Sequence, residues 1–279
     1  MSTVNITAAE KKKQRQENGA GVIDCKKALT ETNGDFEAAI DYLRKKGAKI
    51  AANRSDREAN EGVVVALTST DGKFGCAVNL SSETDFVAKN EDFINLAKAI
   101  ADVALAGRIK SLEDLQNAQL DGLSIKDKLL ETVAKIGEKI EVKKYEVVEG
   151  EGVVAYIHMG YRMGVLVQLN QALTDEKTTA GKDVAMQIAA MNPVAVDASG
   201  VSDEMKTRER AIAREKAIAA GKPENILDKI ADGAVNTMLK ENTLLPQPFV
   251  KDGSKTVEQY LKSVDKDLTV VTFKRITLS

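Results

Sequence analysis

The chain has 279 residues, of which 43% are hydrophobic and only 4% aromatic, with no tryptophan. That is apolar material for roughly two domains of about 100 to 200 residues each, which excludes global disorder and disfavours a platform for stacking bases or large flat ligands. Forty basic residues against 42 acidic ones leave a net charge of -2, which argues against a surface that is one continuous polyanion footprint.

The N-terminal third begins with helices. One is expected before Gly19, and residues 22–31 and 35–46 read as two more, with Gly34 stopping the first of these and Asp35 capping the second. The apolar stripe of the last is Phe36, Ala39, Ile40 and Leu43. These three make a helical module, residues 1–54, whose boundary falls in a polar stretch from Ala48 to Glu61 without strong periodicity.

From Gly62 the pattern becomes β-rich. Val63 to Thr68 and Cys76 to Leu80 flank a turn at Asp71-Gly72 and predict a hairpin. A helix follows, with Phe93, Ile94, Ala97, Ile100, Ala101 and Ala104 on one face, then a helix over 125–136 and a strand over 140–148. Residues 55–140 are read as the first core subdomain and 141–279 as the second.

The order then returns. Glu61-Gly62-Val63-Val64 reappears at 151–154, and Gly75 to Leu80 resembles Gly164 to Leu169. A helix carrying Val184, Ile188 and Ala189, another around Val257 to Leu261 and a closing strand over 268–278 complete a second copy of an α+β unit of antiparallel sheet and helices. The interval from Met191 to Asp267 is more than twice the matching one from Leu105 to Lys139. The excess is assigned to residues 200–242, where Met205, Ile212 and Ala219, then Ile226, Ile230, Ala234 and Met238, predict a helical hairpin with Gly221 and Pro223 at its bend.

Chemistry is sparse. Cys25 and Cys76 match no metal or redox spacing and read as free thiols of a reducing, cytoplasmic compartment. No apolar run is long enough to cross a membrane, and residues 1–20 hold a lysine-rich run where a signal peptide needs an apolar core, so neither insertion nor export is expected. There is no phosphate-binding loop, Gly19-Ala20-Gly21 follows no strand, and the single histidine, His158, has no local metal-ligand partner. No catalytic residue, metal site or cofactor is expected, and the chain is read as a non-enzyme.

Four places stand out. Glu83 to Asn90 lies where the first hairpin gives way to its helix, so Asp85 could be a cap and Phe86 core filling. The second copy has Gln171-Ala172-Leu173-Thr174-Asp175 there and no aromatic, so the shared plan does not require Phe86. Lys26 and Lys27 are adjacent on a short helix, Ile136-Gly137 is a helix end, and His158 closes a strand.

Three segments in order, Gly19-Ala20-Gly21-Val22-Ile23-Asp24-Cys25-Lys26-Lys27-Ala28-Leu29, Glu83-Thr84-Asp85-Phe86-Val87-Ala88-Lys89-Asn90 and Ala155-Tyr156-Ile157-His158-Met159-Gly160, together resemble bacterial translation elongation factor Ts, the guanine-nucleotide exchange factor of elongation factor Tu. The resemblance covers nearly the whole chain. It implies a three-helix module like a ubiquitin-associated domain, two related subdomains and a coiled-coil-like hairpin in the second. It also implies that Thr84, Asp85, Phe86 and Val87 dock beside the magnesium site of elongation factor Tu and dislodge the ion, with further contacts from Lys12, Arg15, Val22, Ile23, Lys26, Ile136, Gly137 and His158. Glu10, Lys11 and Gln14 depart from the apolar residues the family usually has in its first helix. Two other classes stand beside this reading: an RNA- or ribosome-binding module using Lys11 to Lys13, Lys26 and Lys27, which the acidic balance disfavours, and a scaffold that pairs as a homodimer through residues 200–242.

Overall fold

The computed structural model describes residues 6–18 and 21–278, with residues 14–18 described by backbone alone. The fold is α+β, with the three N-terminal helices and the two sheets that the pattern predicts. Its contacts divide it into two units. One takes the chain through Val65, then Ala77–Glu146 and the strand end from Ile276; the other takes Ala66–Cys76 and Val147–Arg275.

The first unit opens with α1 (Ala8–Asn18), α2 (Val22–Glu31) and α3 (Phe36–Asn53), followed by β1 (Glu61–Thr68) and β2 (Phe74–Ser82). Then come α4 (Asp85–Ala88), α5 (Glu91–Ala106), α6 (Leu112–Asn117), the short pair β3 (Gln119–Leu120) and β4 (Leu123–Ser124), α7 (Ile125–Ile136) and β5 (Glu141–Glu149). Glu10 has a local reason to be polar: its carboxylate accepts from the Thr7 amide at 2.7 Å while its own amide donates to Thr7 Oγ1 at 3.2 Å, a reciprocal cap that starts α1. Ile6, Cys25, Ala28, Leu29, Ala39 and Leu43 form the core of the helical module, with Phe36 and Tyr42 packed on it. Asp35 caps α3 by accepting from the Ala38 amide at 3.0 Å, as its position predicts.

α3 does not stop at residue 46. It continues to Asn53 because Gly47, which looks like a stop, is a packing site. A Cβ built there would lie 2.0 Å from the Leu130 carbonyl oxygen of α7, so only glycine lets the two helices approach this closely. The predicted face of α5 is buried at Phe93, Ala97, Ile100, Ala101 and Ala104, and α7 has the bounds expected of it, ending on Gly137 at φ 82°.

The second unit contains β6 (Gly152–His158), β7 (Met163–Leu169), α8 (Asp175–Met191), α9 (Asp203–Ala219), α10 (Glu224–Asn242), β8 (Pro248–Phe249), β9 (Asp252–Thr256), α11 (Val257–Val264) and β10 (Val270–Thr277). Its core joins Val165, Val167 and Leu169 to Val184, Ile188, Val257, Leu261, Leu268 and Val270. The strand orders β1-β2-β5 and β10-β7-β6 are the same plan, a hairpin whose second strand takes the third strand at its free edge. The repeat read from the sequence is thus a repeat of topology.

The hairpin insertion forms where expected, but its seam is displaced. Met205 and Ala219 are exposed, and the buried residues are Ala213 and Ala217 on α9 and Leu227, Ala231 and Val235 on α10. On α10 the buried stripe, Leu227, Ala231 and Val235, runs one residue beyond the expected Ile226, Ile230 and Ala234. Arg210 pairs with Asp232 and Arg214 with Glu224 across it.

Candidate functional site

The segment after β2 carries the most informative departure from a bland reading. Phe86 is not core filling: it is 84% exposed. It sits on α4, a single turn that the second copy lacks, since there β7 leads directly to α8 with Thr174 as its cap. Nor does Asp85 cap the helix. It is the first helical residue, and its carboxylate binds Lys89 Nζ at 2.6 Å, an interaction that holds it below the usual aspartate range.

Phe86 and Val87 form one side of a cavity of about 440 Å³ whose other walls are Phe93 and Leu96 of α5 and Lys128, Glu131, Thr132, Lys135 and Ile136 of α7. The cavity has an apolar floor and a charged rim. Lys135 reaches Asp92 at 3.4 Å across its mouth. Burial pushes the Glu131 carboxyl above the usual glutamate range, although Lys128 and Arg44 pull it the other way. Arg44 Nε stands 3.8 Å from that carboxylate.

Below α4 lies a polar network with no signal in the local sequence. Glu138 accepts from the amides of Glu83 and Thr84 at 3.2 and 3.1 Å and from Thr84 Oγ1 at 2.7 Å. Glu83 in turn accepts from the Lys139 amide at 2.6 Å and from Arg54 at 2.8 Å. Burial works against the Glu83 carboxylate, but the Lys139 amide and the Arg54 guanidinium together leave it below the usual glutamate range. Lys139 Nζ donates to the carbonyls of Ser55 and Arg57, so the loop after α3 is held by the same stretch. Spacing could not reveal Glu138, Arg54 or Lys139, because their partners are distant in the chain.

The other candidate residues are spread more widely. Ile136 shares the cavity with Phe86 and Val87, and Gly137 follows it as the left-handed end of α7. Val22 (48% exposed), Ile23 (84%) and Lys26 lie exposed on α2, and Lys12 is exposed on α1; none of them lines the cavity. Arg15 lies on α1 with its side chain outside the described residues, as are Gly19 and Ala20. His158 belongs to the second unit, at the end of β6, where its Nδ1 is 3.0 Å from Tyr156 Oη. Beyond it the β6–β7 turn carries Met159, Gly160 and Tyr161 in succession at positive φ, with Met159 72% exposed.

By its fold the chain is an α+β protein with a duplicated sheet-and-helix plan and a helical hairpin set into the second copy. A family model described as Elongation factor TS matches residues 83–279. Among curated relatives, an Elongation factor Ts of Amoebophilus asiaticus is 49% identical over 97% of this chain and 98% of its own length. Those of Cytophaga hutchinsonii and Porphyromonas gingivalis are 48% and 47% identical, covering 100% and 98% of both chains respectively. The chain belongs to the elongation factor Ts family, and its role is that of a translation elongation factor in protein biosynthesis. Among the described residues no helix is long and apolar enough to cross a membrane.

Proposed function

We propose that this protein is the guanine-nucleotide exchange factor of elongation factor Tu, binding its GDP-bound form and promoting GDP release. It does so as a binding protein and not as an enzyme, with Thr84, Asp85, Phe86 and Val87 as the segment that disturbs the magnesium and phosphate site. The observation that carries this reading is Phe86: a large apolar ring 84% exposed on a one-turn helix whose root, Glu83 and Thr84, is tied down by six hydrogen bonds shared with Glu138, Lys139 and Arg54. An exposed aromatic on a fixed base is a hot spot awaiting a pocket, because little ordering entropy remains to be lost when it docks.

Exchange is a coupling between two ligands of one partner. A factor that prefers nucleotide-free elongation factor Tu must weaken GDP by the same ratio that GDP weakens it. Burial of the Phe86 ring supplies about 1.5 to 3 kcal/mol toward opening the nucleotide site, roughly a ten- to hundredfold shift. Magnesium neutralises the diphosphate, so its displacement leaves uncompensated phosphate charge that favours departure. Asp85, held by Lys89, fixes the approach of the ring. Ile136, on the far wall of the same cavity, and Gly137 next to it in the chain extend the docking surface, and Lys12, Arg15, Val22, Ile23, Lys26 and His158 provide further contacts.

The test is the release of a fluorescent GDP analogue from elongation factor Tu of the same source, with and without this protein. The expected result is acceleration by the wild type and its loss in Phe86→Ala with the fold intact. A folded wild type that leaves release unchanged would refute the exchange reading.

A further inference from the structure

We propose that Glu138 is the positioning residue of the docking segment: its carboxylate clasps the root of α4 and thereby sets where Phe86 points. The inference rests on the exchange reading above and deepens it.

α4 has four residues, too few for its own hydrogen bonds to hold it in place. The ring of Phe86 is 84% exposed, so packing does not orient it. Thr84, at the N-cap position, makes no side-chain cap. Its hydroxyl donates instead to Glu138 Oε1 at 2.7 Å, while Glu138 Oε2 accepts from the two successive amides of Glu83 and Thr84. A carboxylate with three donors is a strong tie, since each bond is charge-assisted.

The clasp is reciprocal. Glu138 serves the backbone of residues 83 and 84, and Glu83 serves the backbone of Lys139 at 2.6 Å. Arg54 donates to both oxygens of Glu83 at 2.8 Å, offsetting the repulsion between two neighbouring carboxylates. The chain reaches Glu138 through Gly137 at φ 82°, directly after Ile136. The same tie therefore joins the Phe86 segment to the Ile136-Gly137 segment, and fixes the distance between two walls of one cavity. Glutamine at 138 can keep this geometry, its amide oxygen accepting from the two amides and its NH2 group donating to Thr84 Oγ1. Alanine cannot.

The experiment is the rate of fluorescent GDP release from elongation factor Tu as a function of the concentration of full-length Glu138→Ala, Glu138→Gln, Phe86→Ala and the Glu138→Ala/Phe86→Ala double variant. Glu138→Ala is expected to lower the maximal rate about tenfold, as a misoriented contact would, with a smaller change in the half-saturating concentration. Glu138→Gln is expected to restore most of the rate, and the double variant to be no slower than Phe86→Ala, because two residues acting through one contact are not additive. Wild-type behaviour in Glu138→Ala, or a loss that adds in full to that of Phe86→Ala, overturns the proposal. If the wild type itself fails to accelerate release, the exchange reading falls, and amide hydrogen exchange of the free protein still decides the clasp. Glu83 and Thr84 should then exchange faster in Glu138→Ala at an unchanged unfolding midpoint, and unchanged protection overturns it.

Discussion

Phe86 and Phe93 sit on consecutive helices, one 84% exposed and the other 2%, so the same truncation asks two different questions of the chain. Phe93→Ala removes a ring from the face of α5 and is expected to cost about 3 to 5 kcal/mol in urea unfolding. Phe86→Ala should stay within about 0.5 kcal/mol of wild type while exchange activity is lost; a large stability loss there would contradict its exposure. Glu131 supplies a pH test. Because burial raises its folded pKa above the ordinary 4.5, the folded chain holds that proton more tightly than the unfolded chain does. Stability contributed by the protonated form is therefore lost as pH rises from the ordinary value through the folded one, and the cost persists at neutral pH. Glu131→Gln should melt higher than wild type at about pH 7, with the gap closing toward about pH 4; a gap independent of pH would mean the carboxylate is not the cause.

At the scale of elements, two glycines separate packing from conformation. Gly47→Ala improves intrinsic helix propensity by about 1 kcal/mol, but the new methyl would meet the Leu130 carbonyl at 2.0 Å, so α3 and α7 must part. A net loss of about 2 kcal/mol or more in chemical denaturation is expected, overpacking outweighing propensity. Gly137→Ala meets no atom within 4 Å and pays only for its left-handed backbone, about 1 kcal/mol. Equal losses for the two would refute the close crossing. Gly47 also explains why helix α3 was legible only in part. A glycine after an apolar stripe is the ordinary mark of a helix end, and nothing local distinguishes it from a glycine that a second helix has pressed against.

For the molecule as a whole, the hairpin of α9 and α10 behaves as an addition. No residue of 203–242 belongs to the core of the second unit, which closes through Leu244, Phe249, Val257 and Leu261 on α8 and β7. Replacing residues 203–242 by a short glycine-serine linker should leave a cooperative thermal transition. A molten product in near-ultraviolet circular dichroism would show that the core depends on the hairpin. Gln187, which accepts from the Val250 amide at 2.8 Å and donates to Gln247 at 3.0 Å, shows how the chain returning from the hairpin is tied to α8. This buried polar pair is invisible to hydrophobic patterning.

Periodicity alone was enough for the elements whose stability is local or one-faced. The helix over 125–136, the cap at Asp35, the stripe of α5, the hairpin at Asp71-Gly72 and the repeated strand plan all follow from spacing and turn chemistry, which act within a few residues. The proposed docking segment was legible as a motif and not as a surface. Sequence could not say that Phe86 faces outward, because spacing alone favours a lone aromatic beside a helix start as core filling, whereas the ring is 84% exposed. That choice was made by Glu138, which holds residues 83 and 84 against the end of α7, and by Arg54, which ties Glu83 to the end of α3, each distant in the chain. Local interactions can be read from neighbours in sequence, whereas the orientation of a one-turn helix is set by groups that become neighbours only when the chain has folded.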